Sequence, residues 1–283
     1  MKSYLKLLNW EINRFGKLYG VLLLVTLLSQ TGGLIVYAVS YMSIMKEGMQ
    51  RSALSLSDYL ASGRGGTISL KAYTDESFWF SAPIALCAAA LLLYVFMIWY
   101  REWFGRNTFA YRLLMLPTSR MNLYWAKLSA IMLFVWGLLA FQLLLLPLEQ
   151  LLLNALLPGE LRDFVPISQI VRSNYETMLS ILIPRFFIVF MIYYGAGLLG
   201  VIVIFTAILL ERSFRVKGIF AGILYAAAAV FIVFSLDILS EISSRGMWIY
   251  PSELYVLRIA LGALIAGISV WFSSYLLRKK VTV

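Results

Sequence analysis

Six long apolar runs decide what this chain can become. They cover Leu18–Tyr41, Phe78–Tyr100, Ser129–Leu148, Pro184–Leu210, Gly218–Leu236 and Leu254–Leu277. Each approaches or exceeds the ~20 apolar residues that an α-helix needs to cross the hydrocarbon core of a bilayer. Charged residues make up only 13% of the chain and hydrophobic ones 61%, against about a quarter charged in a soluble domain. No soluble fold could hide so much apolar surface. The expected fold is an all-α integral membrane protein with six transmembrane helices, forming one domain over residues 1–283. The fifth run is the shortest, so its outer end is open to a broken or re-entrant form.

The charges sit in the connectors and are divided unequally. Lys2, Lys6, Arg14 and Lys17 precede the first run. Arg101, Arg106, Arg112, Arg120 and Lys127 lie between the second and third, Arg212, Arg215 and Lys217 between the fourth and fifth, and Arg278, Lys279 and Lys280 after the sixth. Only Glu11, Glu102 and Glu211 oppose them on that side. By the positive-inside rule this side, with both termini, is cytoplasmic. A net charge of +10 therefore reads as topology, not nucleic-acid binding, because the basic residues share no soluble face. Aromatic residues gather at the expected interfaces, as at Phe78-Trp79-Phe80, Trp99-Tyr100, Tyr124-Trp125, Trp248 and Tyr250. The first run is longer than the apolar region of a signal peptide and reads as an anchor.

Residue chemistry argues against an enzyme. The chain has no histidine, which excludes Ser-His-Asp catalysis and His-ligated zinc. Cys87 is its one cysteine and reads as a small buried hydrophobe. No G-x-x-x-x-G-K-[ST] phosphate-binding loop occurs. Gly195–Gly200, "GAGLLG", matches G-x-G-x-x-G in letters, but it lies inside the fourth apolar run. Its small residues read as a place where helices approach closely in lipid.

No charge falls near the middle of a predicted span. Arg185, Asp237, Glu241, Glu253 and Arg258 lie at or beyond outer ends, where they can snorkel to water. Thr26, Ser29, Gln30, Thr31 and Gln142 are polar but neutral, suited to packing helices or lining a path. Outside the membrane, 43–77 and 149–183 are the longest connectors. The first reads as a short helix, a flexible "SGRGG" turn and an extended "TISLKAY".

Two cytoplasmic elements stand out. From Lys2 to Lys17, Leu5, Leu8, Ile12 and Phe15 form an apolar stripe, with Lys6, Asn9, Asn13 and Lys17 on another. This predicts an amphipathic interfacial helix, with Lys6, Trp10, Arg14 and Lys17 at the headgroups. It could serve as an anchor or as a lever to a partner. Between the second and third spans, Arg101–Met115 favours a helix whose leucines need a burial partner. Leu116-Pro117 ends it, and a second helix, capped by Thr118 or Ser119, runs through Lys127 into the third span.

This connector resembles the first cytoplasmic connector of type-2 ATP-binding-cassette (ABC) exporter permeases. Glu102 follows the second span, "GRNTFAYRLLMLPTSR" supplies Gly105, Thr108, Leu113, Leu114, Leu116, Pro117, Ser119 and Arg120, and Lys127 enters the third span. The motif covers about 25 residues; the layout of six spans fits over the whole chain. The resemblance implies that Arg101–Met115 is a coupling helix docking into a cytoplasmic ABC-type ATPase, with Glu102, Thr108, Arg112, Leu113, Leu114, Pro117 and Arg120 carrying the coupling. It implies ATP and Mg on the partner and no cofactor on this chain, a second permease forming a homodimer or heterodimer, contact with membrane lipids, and a bacterial plasma membrane. The expected function is export of an amphipathic or hydrophobic cargo, such as a peptide, antimicrobial or lipid. The alternative is a non-transporting membrane sensor or assembly scaffold, with residues 43–77 as its extracytoplasmic receptor loop.

Overall fold

A computed structural model describes residues 2–63, 65–103, 119–172, 177–244 and 251–280. Among them the secondary structure is helical, apart from an isolated parallel bridge between Ile68 and Arg162. The helices are α1 (Lys2–Ser52), α2 (Leu56–Ala61), α3 (Leu70–Glu76), α4 (Phe78–Trp103), α5 (Arg120–Leu156), α6 (Ile167–Val171), α7 (Met178–Leu182), α8 (Phe187–Phe214), α9 (Val216–Ser244) and α10 (Pro251–Lys279), with a 3-10 turn at Gly159–Leu161. Six of them, α1, α4, α5, α8, α9 and α10, are long and apolar enough to cross a membrane, with mean hydropathy from 1.9 to 2.5 over their most apolar windows. The chain has the build of a multi-pass membrane protein.

Several helices run past the predicted ends. α1 is one continuous helix of 51 residues, about 77 Å long at 1.5 Å per residue. No break separates Lys2–Lys17 from the first span, and its C-terminal end reaches Ser52. α5 continues through Pro147 to Leu156, and α4 holds Pro83 in its interior. Helices in lipid tolerate proline because neighbouring groups re-satisfy the freed backbone. Glu149 thus lies in helix, not in an outer loop. α9 extends to Ser244 as a regular helix, with no break at its C-terminal end among the described residues.

The chain divides into two compact units, 1–15 with 91–133 and 186–283, and 16–90 with 134–185. In the second, a core of Leu34, Ala38, Leu70, Tyr73, Phe80, Leu146, Leu153, Ile170 and Leu179 joins α1, α3, α4, α5, α6 and α7. The segment expected to be extended at "TISLKAY" is so only around Ile68. From Leu70 it is helical, because the Ser69 hydroxyl accepts from the Ala72 amide at 3.2 Å and Leu70, Tyr73 and Thr74 bury one face. The Ile68 amide donates to the Leu161 carbonyl at 2.9 Å, and the Asp163 amide to the Ile68 carbonyl at 2.8 Å. Gly33 is glycine for a reason of space: an added Cβ would lie 2.2 Å from the Trp79 Cβ.

In the first unit, α8 and α9 form a hairpin linked by Arg215 alone, at φ 52° and ψ −127°. A Cβ on Gly218 would come within 2.2 Å of the Leu210 carbonyl, and one on Gly222 within 2.9 Å of the Ala207 carbonyl. These two glycines, one turn apart, let the backbones touch. At Gly195, Gly197 and Gly200, by contrast, an added Cβ meets nothing within 4 Å among the described residues. Hydroxyls hold α8, α9 and α10 together. Thr206 and Ser273 share a hydrogen bond of 2.9 Å, Thr206 donates to the Ser269 carbonyl at 3.3 Å, and Tyr225 is hydrogen-bonded to Ser269.

Candidate functional site

The most unusual chemistry of the molecule lies where α1, α4 and α5 meet in the first unit. Lys127 is on the buried face of α5, among Leu123, Tyr124, Ala130 and Ile131, and is fully buried itself. Its ammonium group has three donors and places all of them. One meets a Glu11 oxygen at 2.6 Å, one a Glu102 oxygen at 2.6 Å and one the Ile98 carbonyl at 2.9 Å. Glu11 is fully buried and Glu102 is 2% exposed.

Two arginines complete the cluster. Arg14, one turn after Glu11 on α1, stands 3.7 Å from Glu102 on α4. Arg101 on α4 stands 3.8 Å from Glu11 on α1. Each carboxylate is therefore shared between Lys127 and an arginine of the other helix. Aromatic rings close the surroundings. Lys127 lies 5.2 Å from the centre of the Trp99 ring, and Arg14 lies 4.5 Å from that of Trp10. Phe15 stacks on Tyr94 at 3.8 Å. Trp99 and Tyr124 both meet Phe205 edge-on at 5.5 Å.

Three cations against two carboxylates form a structural lock between α1, α4 and α5. A buried ion pair is weak evidence of net stability, because desolvation offsets its attraction. Removing one member, however, strands the others in a medium that cannot solvate them. The arrangement thus fixes the relative register of three helices. It also joins the two ends of the connector 104–118, since Glu102 lies just before that segment and Lys127 soon after it.

Of the residues expected to carry coupling, Glu102 belongs to this cluster. Arg120 donates to the Leu277 carbonyl at 2.6 Å, satisfying a free carbonyl at the C-terminal end of α10. Thr108, Arg112, Leu113, Leu114 and Pro117 lie outside the described residues. Of the expected interfacial residues, Lys6 and Lys17 are exposed, and Trp10 and Arg14 are half-buried. Nearby, Tyr100 donates to Glu211, which also pairs with Arg212 at 3.9 Å.

Sequence reading passed over Glu11, Arg101 and the burial of Lys127. One signal was available: Glu11 falls three residues after Leu8 and four before Phe15, on the apolar stripe and not with Lys6 and Asn13. A carboxylate in that position needs a cation from another helix.

The second unit holds a different polar set. Gln30 and Gln142 exchange amide hydrogen bonds of 3.2 and 3.3 Å, and Gln30 also donates to the Phe80 carbonyl at 3.1 Å. Tyr73 donates to the Gln30 carbonyl at 2.7 Å. Thr26 faces Cys87 at 3.4 Å. These neutral groups pack helices. Just outside the expected span Ser129–Leu148, at its two ends, α5 buries two ionisable residues, Lys127 and Glu149. The latter is fully buried in α5, and neither of its carboxylate oxygens has a hydrogen-bond partner among the described residues. The side chains of Asp237 and Glu241 lie outside the described residues; Glu253 is exposed and Arg258 half-buried.

No family model, curated protein or solved structure matches this chain.

Proposed function

We propose that this chain is the permease subunit of an ATP-driven exporter, powered by a separate cytoplasmic ATPase of the ABC type. The observation that carries the reading is the ion cluster of Lys127, Glu11 and Glu102. It ties both ends of the leucine-rich connector to the N-terminal helix. A push on the connector would reach three spanning helices through one rigid joint instead of being lost in a flexible loop. The charge asymmetry of the connectors supports a cytoplasmic position for the cluster and both termini, with Lys6 and Lys17 facing anionic headgroups at the interface.

On this reading the coupling helix begins at Arg101 and includes Arg112, Leu113 and Leu114, with Pro117 ending it. ATP and Mg belong to the partner, and a second permease, identical or not, completes the transporter. The cargo is amphipathic or hydrophobic: a peptide, an antimicrobial or a lipid. The test is affinity purification from native membranes, followed by ATPase turnover in vesicles. A cytoplasmic ATPase should co-purify, and Arg112→Glu should lower coupled turnover while leaving the melting temperature unchanged. Co-purification and turnover unaffected by that substitution would overturn the coupling assignment.

A second reading is favoured by one observation. Ile68, Leu70 and Tyr73, together with Ile170 and Leu179, pack a shared core with α1 and α5. Such a folded element suits a sensor or scaffold that receives an extracytoplasmic ligand. Nucleotide-independent function of the purified chain would favour this reading over transport.

A further inference from the structure

One end of the α8–α9–α10 group gathers positive charge that the described residues do not neutralise. Arg215 links α8 to α9, and Lys217 follows in the first turn of α9. Arg278 and Lys279 close α10, and the Lys280 amide continues it by donating to the Leu276 carbonyl at 3.0 Å. The two segments meet in space, since the Lys280 ammonium lies 6.0 Å from the centre of the Phe214 ring. All five cations are exposed, and none pairs with a carboxylate among the described residues. Glu211, the acid nearest to the turn in sequence, is taken by Tyr100 and Arg212.

Holding like charges together is unfavourable until an anion is supplied. The fold accepts a second cost at the same place. Arg215 sits at φ 52°, and backbone strain of this kind gathers at ligand clamps and other functional places. Phe214 and Val216 are exposed beside the cations, at the ends of helices long and apolar enough to cross a membrane. Rings at that level settle among lipid headgroups. Clusters of about four to eight Lys or Arg just beyond a spanning helix attract anionic lipid, and a guanidinium fork matches phosphate.

We propose that the α8–α9 turn and the end of α10 form one binding site for the headgroup of an anionic phospholipid. Arg215 and Lys217 hold it from the turn, and Lys279 and Lys280 hold it from α10. The site stands whether or not the chain works with an ATPase.

The test uses the full chain in vesicles of phosphatidylcholine mixed with phosphatidylglycerol. The protein is extracted in mild detergent and its retained lipids are counted by native mass spectrometry. Phosphatidylglycerol should be enriched over its share of the vesicles. Arg215→Gln with Lys217→Gln should lower that enrichment by at least about fivefold, the effect of one cation near an anionic surface. Lys279→Gln with Lys280→Gln should do the same. These pairs lie on different segments, so either one suffices. Arg215→Lys with Lys217→Arg should keep most of the enrichment. Lys46→Gln with Arg51→Gln removes the same charge from exposed positions on α1 and should leave it unchanged. No enrichment, or an equal loss from this distant pair, would overturn the proposal. So would displacement of phosphatidylglycerol by an equal concentration of inorganic phosphate, which would make a free anion the ligand. Tighter binding of polyglutamate than of phosphatidylglycerol would overturn it as well, making an acidic protein surface the occupant.

Discussion

The Lys127 ammonium and the Glu11 carboxylate are 2.6 Å apart in space and 116 positions apart in sequence. Glu102 holds the same ammonium from a third helix. Truncating Lys127 leaves two buried carboxylates facing each other without a cation between them. Lys127→Met is expected to cost about 3–5 kcal/mol, the usual penalty for breaking a buried ion pair from one side. Adding Glu11→Gln and Glu102→Gln should recover more than half of that loss. Thermal unfolding in detergent, followed by size-exclusion fluorescence, measures both steps. A single variant as stable as the parent would show that the cluster carries no structural burden.

Glu149 poses the opposite problem, a buried carboxylate whose two oxygens lack hydrogen-bond partners among the described residues. Replacing an unsatisfied buried polar group by an apolar one of similar shape is neutral or stabilising. Glu149→Met should therefore raise the melting temperature or leave it unchanged, whereas Glu149→Lys should prevent folding. A clear loss of stability in the methionine variant would contradict this account.

The glycines of the α8–α9 region separate into two classes. At Gly218 the added methyl group of an alanine would collide with the Leu210 carbonyl, so Gly218→Ala should cost about 1–3 kcal/mol, as overpacking does. Gly197→Ala and Gly200→Ala meet open space and should be neutral or gain about 0.5–1 kcal/mol from helix propensity. Melting temperatures of the three variants in one detergent decide the matter; a uniform response would refute the division.

Arg215 adopts a backbone conformation at positive φ that side chains other than glycine rarely take. Conformations of this kind cost about 1–3 kcal/mol. Arg215→Gly should relieve part of that strain and raise stability, read as a slower rate of thermal inactivation. Faster inactivation would mean that the arginine side chain contributes more than its backbone costs.

Cys87 is the sole cysteine and is buried beside Thr26. A thiol-reactive maleimide should modify it slowly in the folded protein and rapidly after denaturation. Rapid native labelling would place an opening between α1 and α4.

Hydropathy made the six long helices legible, because lipid leaves the backbone few alternatives. Helix ends were less so. Pro147 reads as a stop in water, and nothing local shows that α5 continues past it to Leu156. The polar tail of α1 up to Ser52 has no apolar signal and is helical by continuation and packing. The ion cluster was hidden for a different reason. Glu11, Glu102 and Lys127 each fit a surface connector when read singly, and only the pairing of three distant segments makes them interior. Gly218 and Gly222 were overlooked in favour of 195–200, since spacing alone does not say which small residues face a neighbour.

The one-residue link at Arg215 bears on how the protein is made. Two helices of 28 and 29 residues joined without a loop leave no slack for one to wait at the translocation machinery while the other enters the bilayer. They must be integrated as a pair, already antiparallel. A polar insertion that stalls either helix would therefore strand both and expose the nascent chain to quality-control proteolysis.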